Sequence, residues 1–258
     1  VVPRLISIAV EKVRGTEDEP KLEYATVRLA AMLALRRTVS PPFAEIAEHN
    51  KALATLMQQW DAEDVEALSV TLQGASTDPG IQALAAFILG ELETPGAVNV
   101  LVETFLDPDQ DTSLYRNVST ALTLIDPAEV SRRVILPLLE EADGDPGEIG
   151  ARLANLIYLI GRLRVPAEEA RAFLQRCLRE CAKIQLKGLV IQSLGWLHAV
   201  EHKQALESIA LGDFEALRLV GPLSDSTRRY LQRKALESLV YVGDTTSLEK
   251  LKQRAFTW

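Results

Sequence analysis

The amino-acid sequence predicts an all-α fold, a right-handed superhelical solenoid of about six helix pairs. Two observations carry this prediction. Between Ile81 and Arg254, a unit of an apolar helix, a short break and a second amphipathic helix recurs five times. Apolar runs such as Leu156–Ile160 lie inside segments of helical length that end at helix stops, so no strand pattern remains.

The breaks between paired helices contain glycine, proline or aspartate, and they are Leu89–Pro95, Leu124–Pro127, Ile160–Pro166, Leu194–Val200 and Val242–Asp244. We take the residues at or directly after the ends of the breaks as equivalent, and they are Pro95, Pro127, Pro166, Val200 and Thr245. Successive positions in this set are 32, 39, 34 and 45 residues apart. This spacing fits a two-helix repeat of about 40 residues. The motifs resemble those of the HEAT-repeat family, in which Leu-Gly or Leu-Ile closes the inner helix and proline or a polar residue opens the next. The resemblance covers about two thirds of the chain, and it implies a fold but no particular chemistry.

Helix stops divide the chain from its amino terminus onward. Residues 1–79 are predicted to form degenerate amino-terminal helices, over about 3–13, 22–37, 43–59 and 62–73, the last capped by Asp61. Clearer repeats occupy 80–258, and we expect one array over 1–258. The inner helices are predicted at 81–92, 112–125, 149–163, 185–199 and 227–242. The outer helices are predicted at 95–106, 127–142, 167–182, 201–211 and 245–256, with Pro137 interrupting the second.

Composition narrows the class of protein. The 258 residues exceed the usual size of one core, but a solenoid extends its core one repeat at a time. No apolar run of 18 residues and no signal-peptide pattern occurs, so we expect a cytoplasmic protein without a membrane partner. The chain begins with Val1 instead of Met, so we expect a fragment of a longer protein, with removal of the Met by processing as the alternative.

Charge is distributed unevenly. Residues 1–150 carry 11 Lys and Arg against 25 Asp and Glu, whereas residues 151–258 carry 17 against 11. The two ends are therefore expected to prefer different partners.

Motifs for metal binding and catalysis are weak. Cys177, Cys181, His198 and His202 form two pairs with helical spacing that would suit zinc, but the spacing between the pairs is unlike that of a structural zinc site, and reduced thiols with loop histidines are the simpler interpretation. The Asp107–Asp111 segment resembles the start of a calcium loop but lacks its central glycine and distant glutamate. No phosphate loop, nucleophile motif or His-Glu repeat occurs, so we predict no catalytic residue, metal or cofactor.

Basic and aromatic residues of the carboxy-terminal inner helices are the candidate contacts with a partner. A positive stripe along the concave surface would attract an acidic peptide or phosphates, with Trp196, Tyr158 and Tyr230 as stacking or anchor contacts. The candidates are Arg152, Lys187, Gln192, Trp196, Arg229, Gln232 and Arg233.

We therefore expect a non-catalytic protein–protein interaction scaffold, or a sensor module of a larger multidomain protein, with a protein or peptide as its partner. The family resemblance leaves two alternatives open. One is binding of the nucleic-acid backbone by the basic carboxy-terminal concave surface, as in HEAT-like DNA glycosylases. The other is a HEAT-like lyase or hydroxylase.

Overall fold

A computed structural model of the chain describes residues 60–61, 64–74, 78–108, 110, 112–143, 145–198, 200–219 and 223–242. Within these residues all regular structure is helical, so the all-α prediction is confirmed. The chain divides into two compact units, Val1–Ile125 and Asp126–Trp258. The predicted helices before residue 60 and at 245–256 lie outside the described residues, and a single array over 1–258 stays a prediction.

The described part of the amino-terminal unit has four helices: α1 (Val65–Gln73), α2 (Pro79–Leu92), α3 (Pro95–Leu106) and α4 (Thr112–Leu122). Helix α2 packs against the other three. Leu68, Leu89 and Phe105 are fully buried between them, and each such side chain contributes about 1.5–3 kcal/mol of stability. Tyr115 completes this core, because its ring meets the edge of Phe105 at 6.0 Å and its hydroxyl donates to the Asp107 carbonyl.

The described part of the carboxy-terminal unit consists of seven helices, three 3-10 turns and one π-helical turn. Its elements are α5 (Pro127–Val130), a π-helical turn (Ser131–Ile135), α6 (Leu136–Glu141), a 3-10 turn (Gly150–Arg152), α7 (Leu153–Arg162), α8 (Glu168–Glu180), α9 (Ile184–Trp196), a 3-10 turn (Val200–His202), α10 (Lys203–Ala210), a 3-10 turn (Glu215–Leu217) and α11 (Asp225–Val242). Helix α9 packs against α7, α8 and α11. The inner helices α7, α9 and α11 therefore adjoin in sequence order.

Helix starts are encoded by a capping residue followed by proline. The side chains of Asp78, Thr94 and Asp126 each accept a hydrogen bond from a backbone N–H two or three residues later, and proline follows each of them at the first helical position. Proline suits that position because its missing N–H would have no partner inside the helix. This local chemistry explains why the predicted and observed starts of α3 and α5 coincide.

Pro137 interrupts its helix, as predicted, and the interruption is a π-helical turn. The Leu136 N–H donates to the Ser131 carbonyl, five residues back. In a regular α-helix the ring of Pro137 would clash with the carbonyl of Arg133. The wider turn avoids this clash, and the chain continues as α6.

Three glycines allow neighbouring inner helices to approach closely. A β-carbon at Gly90 would lie 2.8 Å from the Ala121 carbonyl oxygen, and one at Gly161 would lie 2.6 Å from the β-carbon of Ser193. At Gly195 it would lie 2.6 Å from the α-carbon of Ser238. Only glycine permits these distances, so the contacts fix how the helices pair.

A hydrogen bond accompanies each of two of these contacts, the one at Gly161 and the one at Gly195. The Ser193 hydroxyl donates to the Ile157 carbonyl at 2.9 Å, and the Ser238 hydroxyl donates to the Ile191 carbonyl at 2.8 Å. In both cases the acceptor lies four residues before the glycine. The register of α7 against α9 therefore recurs between α9 and α11.

The chain leaves each glycine-containing helix in the same way. Glu93, Arg164 and His198 adopt left-handed backbone angles, with φ of 48°, 52° and 51°. These residues lie three positions after Gly90, Gly161 and Gly195, respectively. This recurrence makes the breaks structurally equivalent, as the alignment of Pro95, Pro166 and Val200 assumes. The break at Leu124–Pro127 differs, because α4 ends at Leu122 and no left-handed residue follows it.

Candidate interaction surface

Helices α7, α9 and α11 present equivalent side chains on one face. A step of 34 residues carries Gly161 to Gly195, and a step of 45 residues carries Ser193 to Ser238. The same two steps connect two rows of partly or fully exposed residues. We call these rows the α7–α9–α11 face, and its residues are Tyr158, Arg162, Gln192, Trp196, Glu237 and Tyr241.

Trp196 is the centre of this face. The edge of the Tyr158 ring meets the indole at 5.9 Å and 84°. The guanidinium carbon of Arg162 lies 5.3 Å from the centroid of the indole, a cation–π contact that contributes about 0.5–1 kcal/mol at an exposed site. Trp196 is therefore held in place while the residue stays partly exposed.

An ammonium group connects the α9 and α11 residues of one row, Gln192 and Glu237. Lys234 Nζ donates to Gln192 Oε1 at 3.3 Å and to Glu237 Oε2 at 3.1 Å. The Lys234 side chain is mostly buried, with 18% of it exposed, whereas 41% of the Glu237 side chain is exposed. The lysine thus positions Gln192 and Glu237 and neutralises the carboxylate.

Helix α11 extends the face with positive charge. Arg229, Arg233, Glu237 and Tyr241 follow one another at intervals of four residues, so they lie along one side of the helix. Arg229 is exposed, and Arg233 Nε lies 3.8 Å from Glu237 Oε1 with 68% of the arginine side chain exposed. Tyr241 is 46% exposed. Four predicted contacts, Gln192, Trp196, Arg229 and Arg233, therefore lie on or beside the α7–α9–α11 face.

The other three predicted contacts lie elsewhere. Arg152 is 7% exposed and Lys187 is 1% exposed, so the expectation that they add charge to a surface stripe is wrong. Arg152 belongs to a 3-10 turn and lines a small pocket together with Leu138 and Ile149. Gln232 is half-buried, and its amide donates to the Ala210 carbonyl at 3.3 Å.

Lys187 connects two parts of the carboxy-terminal unit. Its ammonium donates to the carbonyls of Leu178 at 2.5 Å and Arg179 at 3.2 Å, near the end of α8, and to the Leu217 carbonyl at 2.6 Å. Carbonyls at the end of a helix lack an N–H donor within the helix, so the charged lysine satisfies them. Burial lowers the pKa of Lys187, while the nearby sulfurs of Cys181 and Cys177 favour its charged form.

The two cysteines are reduced thiols at the end of α8, and both are buried. A hydrogen bond from the Cys177 thiol lowers the pKa of Cys181 to about 7, and the Lys187 ammonium adds to this effect. The same hydrogen bond and burial raise the pKa of Cys177. The pair therefore holds one thiol that ionises near neutral pH beside one that stays protonated.

The residues considered for zinc do not converge. His202 is buried against Gln175, whose amide nitrogen lies 3.3 Å from His202 Nε2, whereas His198 is exposed. Within the described ranges, no three His, Cys, Asp or Glu side chains lie close enough to hold a metal ion. Asp107 accepts a hydrogen bond from Gln110, and Asp109 and Asp111 of the calcium-like segment lie outside the described residues.

Three residues of the face were not predicted: Arg162, Glu237 and Tyr241. The sequence contains a signal for all three. Arg162 lies 34 residues before Trp196, Tyr241 lies 45 residues after Trp196, and Glu237 lies 45 residues after Gln192, which are the spacings of the repeats themselves. Comparing equivalent positions would have found them.

No family model matches this chain, and no curated protein matches it significantly. In the described part of the chain, none of the helices has the length and hydropathy needed to cross a membrane.

Proposed function

We propose that this chain is a HEAT-like α-solenoid that works as a protein-interaction module, with the α7–α9–α11 face as the surface that binds the partner. The recurring glycine contacts and left-handed exits support the repeat architecture. Because a solenoid presents equivalent positions side by side, the face can meet an extended partner at several points. The cytoplasm is the expected compartment, since both cysteines are free thiols.

The observation that carries this proposal is the geometry of Trp196. The indole is held by Tyr158 and Arg162 yet remains partly exposed. Tryptophan, tyrosine and arginine are the residue types that dominate binding energy at protein interfaces. An indole fixed before binding loses little conformational entropy when a partner covers it.

The chemistry of the face defines the partner. Trp196 and Tyr241 offer aromatic surface, and Arg162, Arg229 and Arg233 offer positive charge beside it. A matching protein segment presents an apolar or aromatic side chain to the two rings and carboxylates to the arginines.

The experiment that tests this proposal is affinity capture from a lysate of the source organism, at low and at high salt. The variants are Trp196→Ala and Arg162→Ala, with Arg179→Ala as the control because Arg179 is exposed on α8, which contributes no residue to the face. We expect a defined protein to be retained at high salt by the wild-type chain and by Arg179→Ala. Trp196→Ala should lose it, since truncating such an anchor reduces affinity by about 2 kcal/mol or more.

A photo-crosslinking amino acid at Tyr241 then checks that the retained protein touches the face. Retention of the same protein by Trp196→Ala, without a crosslink from position 241, would contradict the proposal. Nucleic acid that is released as salt rises, with no protein retained, would favour backbone binding through Arg229 and Arg233 instead.

A further inference from the structure

A pocket of about 520 Å³ opens between α6 and α8 in the carboxy-terminal unit. Such a volume lies within the usual range of small-molecule sites, about 300–1,000 Å³. Apolar side chains and charged side chains both line this α6–α8 pocket, and they are Leu136, Leu139, Ala172, Phe173, Glu140, Asp143, Glu169 and Arg176. None of these residues belongs to the α7–α9–α11 face.

The walls of the pocket follow from the local sequence. Helix α6 continues from the π-helical turn that Pro137 requires, and such turns occur frequently at functional sites. On the opposite wall, Ala172 is exposed and its methyl group leaves space that a longer side chain would fill. Phe173 is 2% exposed and Leu139 is 6% exposed, so both lie deep in the pocket as an apolar floor.

Carboxylates surround this floor. Glu140, Asp143 and Glu169 are all exposed, and within the described ranges no ion pair engages any of them. Among the described residues that line the pocket, Arg176 is the one with a positive group, and its guanidinium donates to the Asp143 carbonyl at 3.4 Å. Three carboxylates and one guanidinium therefore give the described lining of the pocket a net negative charge, with an apolar floor among them.

We propose that the α6–α8 pocket binds a small organic cation. Its apolar body lies on Leu139 and Phe173, and its ammonium group faces Glu140 and Glu169. An anion of the same shape is repelled by the two carboxylates, and a neutral molecule gains only the apolar contact.

The test compares three probes with one apolar body: 4-phenylbutylamine, 4-phenylbutanol and 4-phenylbutyrate. Binding to the full chain is measured by calorimetry and by ligand-observed NMR. We expect saturable binding of the amine, about ten-fold weaker binding of the alcohol, and no binding of the carboxylate.

Two variants locate the site. Ala172→Leu fills the pocket and should abolish binding of the amine. Because Ala172 is exposed, the substitution should leave the fold intact, which circular dichroism verifies. The double variant Glu140→Gln/Glu169→Gln should reduce the affinity for the amine to that for the alcohol. Glu180→Gln changes a carboxylate of α8 that is not among the described lining residues, and this variant should bind the amine as the wild type does.

The inference is overturned by any of three results. These are no saturable binding of the amine, equal affinity for amine and alcohol in the wild type, or undiminished amine binding in Ala172→Leu. Trp196→Ala should leave amine binding unchanged, so this inference and the proposed protein-binding function fail or succeed separately.

Discussion

Replacing Lys187 by methionine tests whether its buried ammonium holds the carboxy-terminal unit together. Methionine has a similar length but cannot donate to the carbonyls of Leu178, Arg179 and Leu217. Two of these three hydrogen bonds are fully buried, and each bond from a charged donor contributes about 1.5–3 kcal/mol. Removing the desolvated charge returns part of this energy. We expect the free energy of unfolding to fall by about 3 kcal/mol in Lys187→Met.

The assay is urea denaturation followed by far-ultraviolet circular dichroism. With a denaturant slope of about 2 kcal/mol per molar, the midpoint should fall by about 1.5 M. Lys183→Met is the matched control, because Lys183 is exposed just before the same helix, and its effect should stay within about 0.5 kcal/mol.

A local measurement accompanies the global one. Arg218 is exposed, has a left-handed φ of 46° and follows the 3-10 turn that Lys187 holds through Leu217. Trypsin should cleave after Arg218 faster in Lys187→Met than in the control. A variant midpoint within about 0.3 M of the wild type, or above it, would refute the reasoning and mean that desolvation of the ammonium cancels its hydrogen bonds.

Three further predictions concern packing and titration. Gly195→Ala should lower stability by about 1–3 kcal/mol because its methyl group meets the α11 backbone, whereas Gly96→Ala, whose methyl group meets only an ordinary contact at 3.6 Å, should raise it by about 0.5–1 kcal/mol; urea denaturation measures both. Cys177→Ala removes the hydrogen bond that lowers the pKa of Cys181 to about 7, so that pKa should rise toward its ordinary 9.0 in thiolate-absorbance titrations, and an unchanged titration would contradict this assignment. Burial lowers the pKa of His202 below its ordinary 6.5, so the unfolded chain takes up its proton first and stability falls as pH drops below 6.5; His202→Gln should lose less stability than the wild type between neutral pH and about pH 5, and equal losses would count against the argument.

Helix positions could be predicted from the sequence because their ends depend on nearby residues. Pro95 and Pro127 follow capping side chains, and Gly90, Gly161 and Gly195 precede left-handed exits. Each of these signals acts within a few residues. Boundaries shifted where a turn had no such signal, as at Leu122, where α4 ends three residues before the predicted end.

Burial of charge was not predictable in the same way. The partner carbonyl of Lys187 at Leu217 lies 30 residues away, in a 3-10 turn that no local pattern indicated. A lysine on an inner helix therefore resembled a surface charge until α8 and this turn were placed around it. Gln192 and Trp196 were found because their residue types suit an interface, whereas Arg162 and Tyr241 were missed because their positions, more than their types, identify them.

Val240 determines how the carboxy-terminal unit could be lengthened. It lies 45 residues after Gly195, at the equivalent position of α11, and its side chain is 59% exposed. A designer who grafted another inner helix onto α11 in the register that joins α7 to α9 would bring backbone against an isopropyl group instead of a hydrogen atom. The graft would stand off from α11 and lose the serine-to-carbonyl bond that forms at Ile157 and Ile191. A further inner helix added to α11 in this register therefore needs Val240→Gly as its first change.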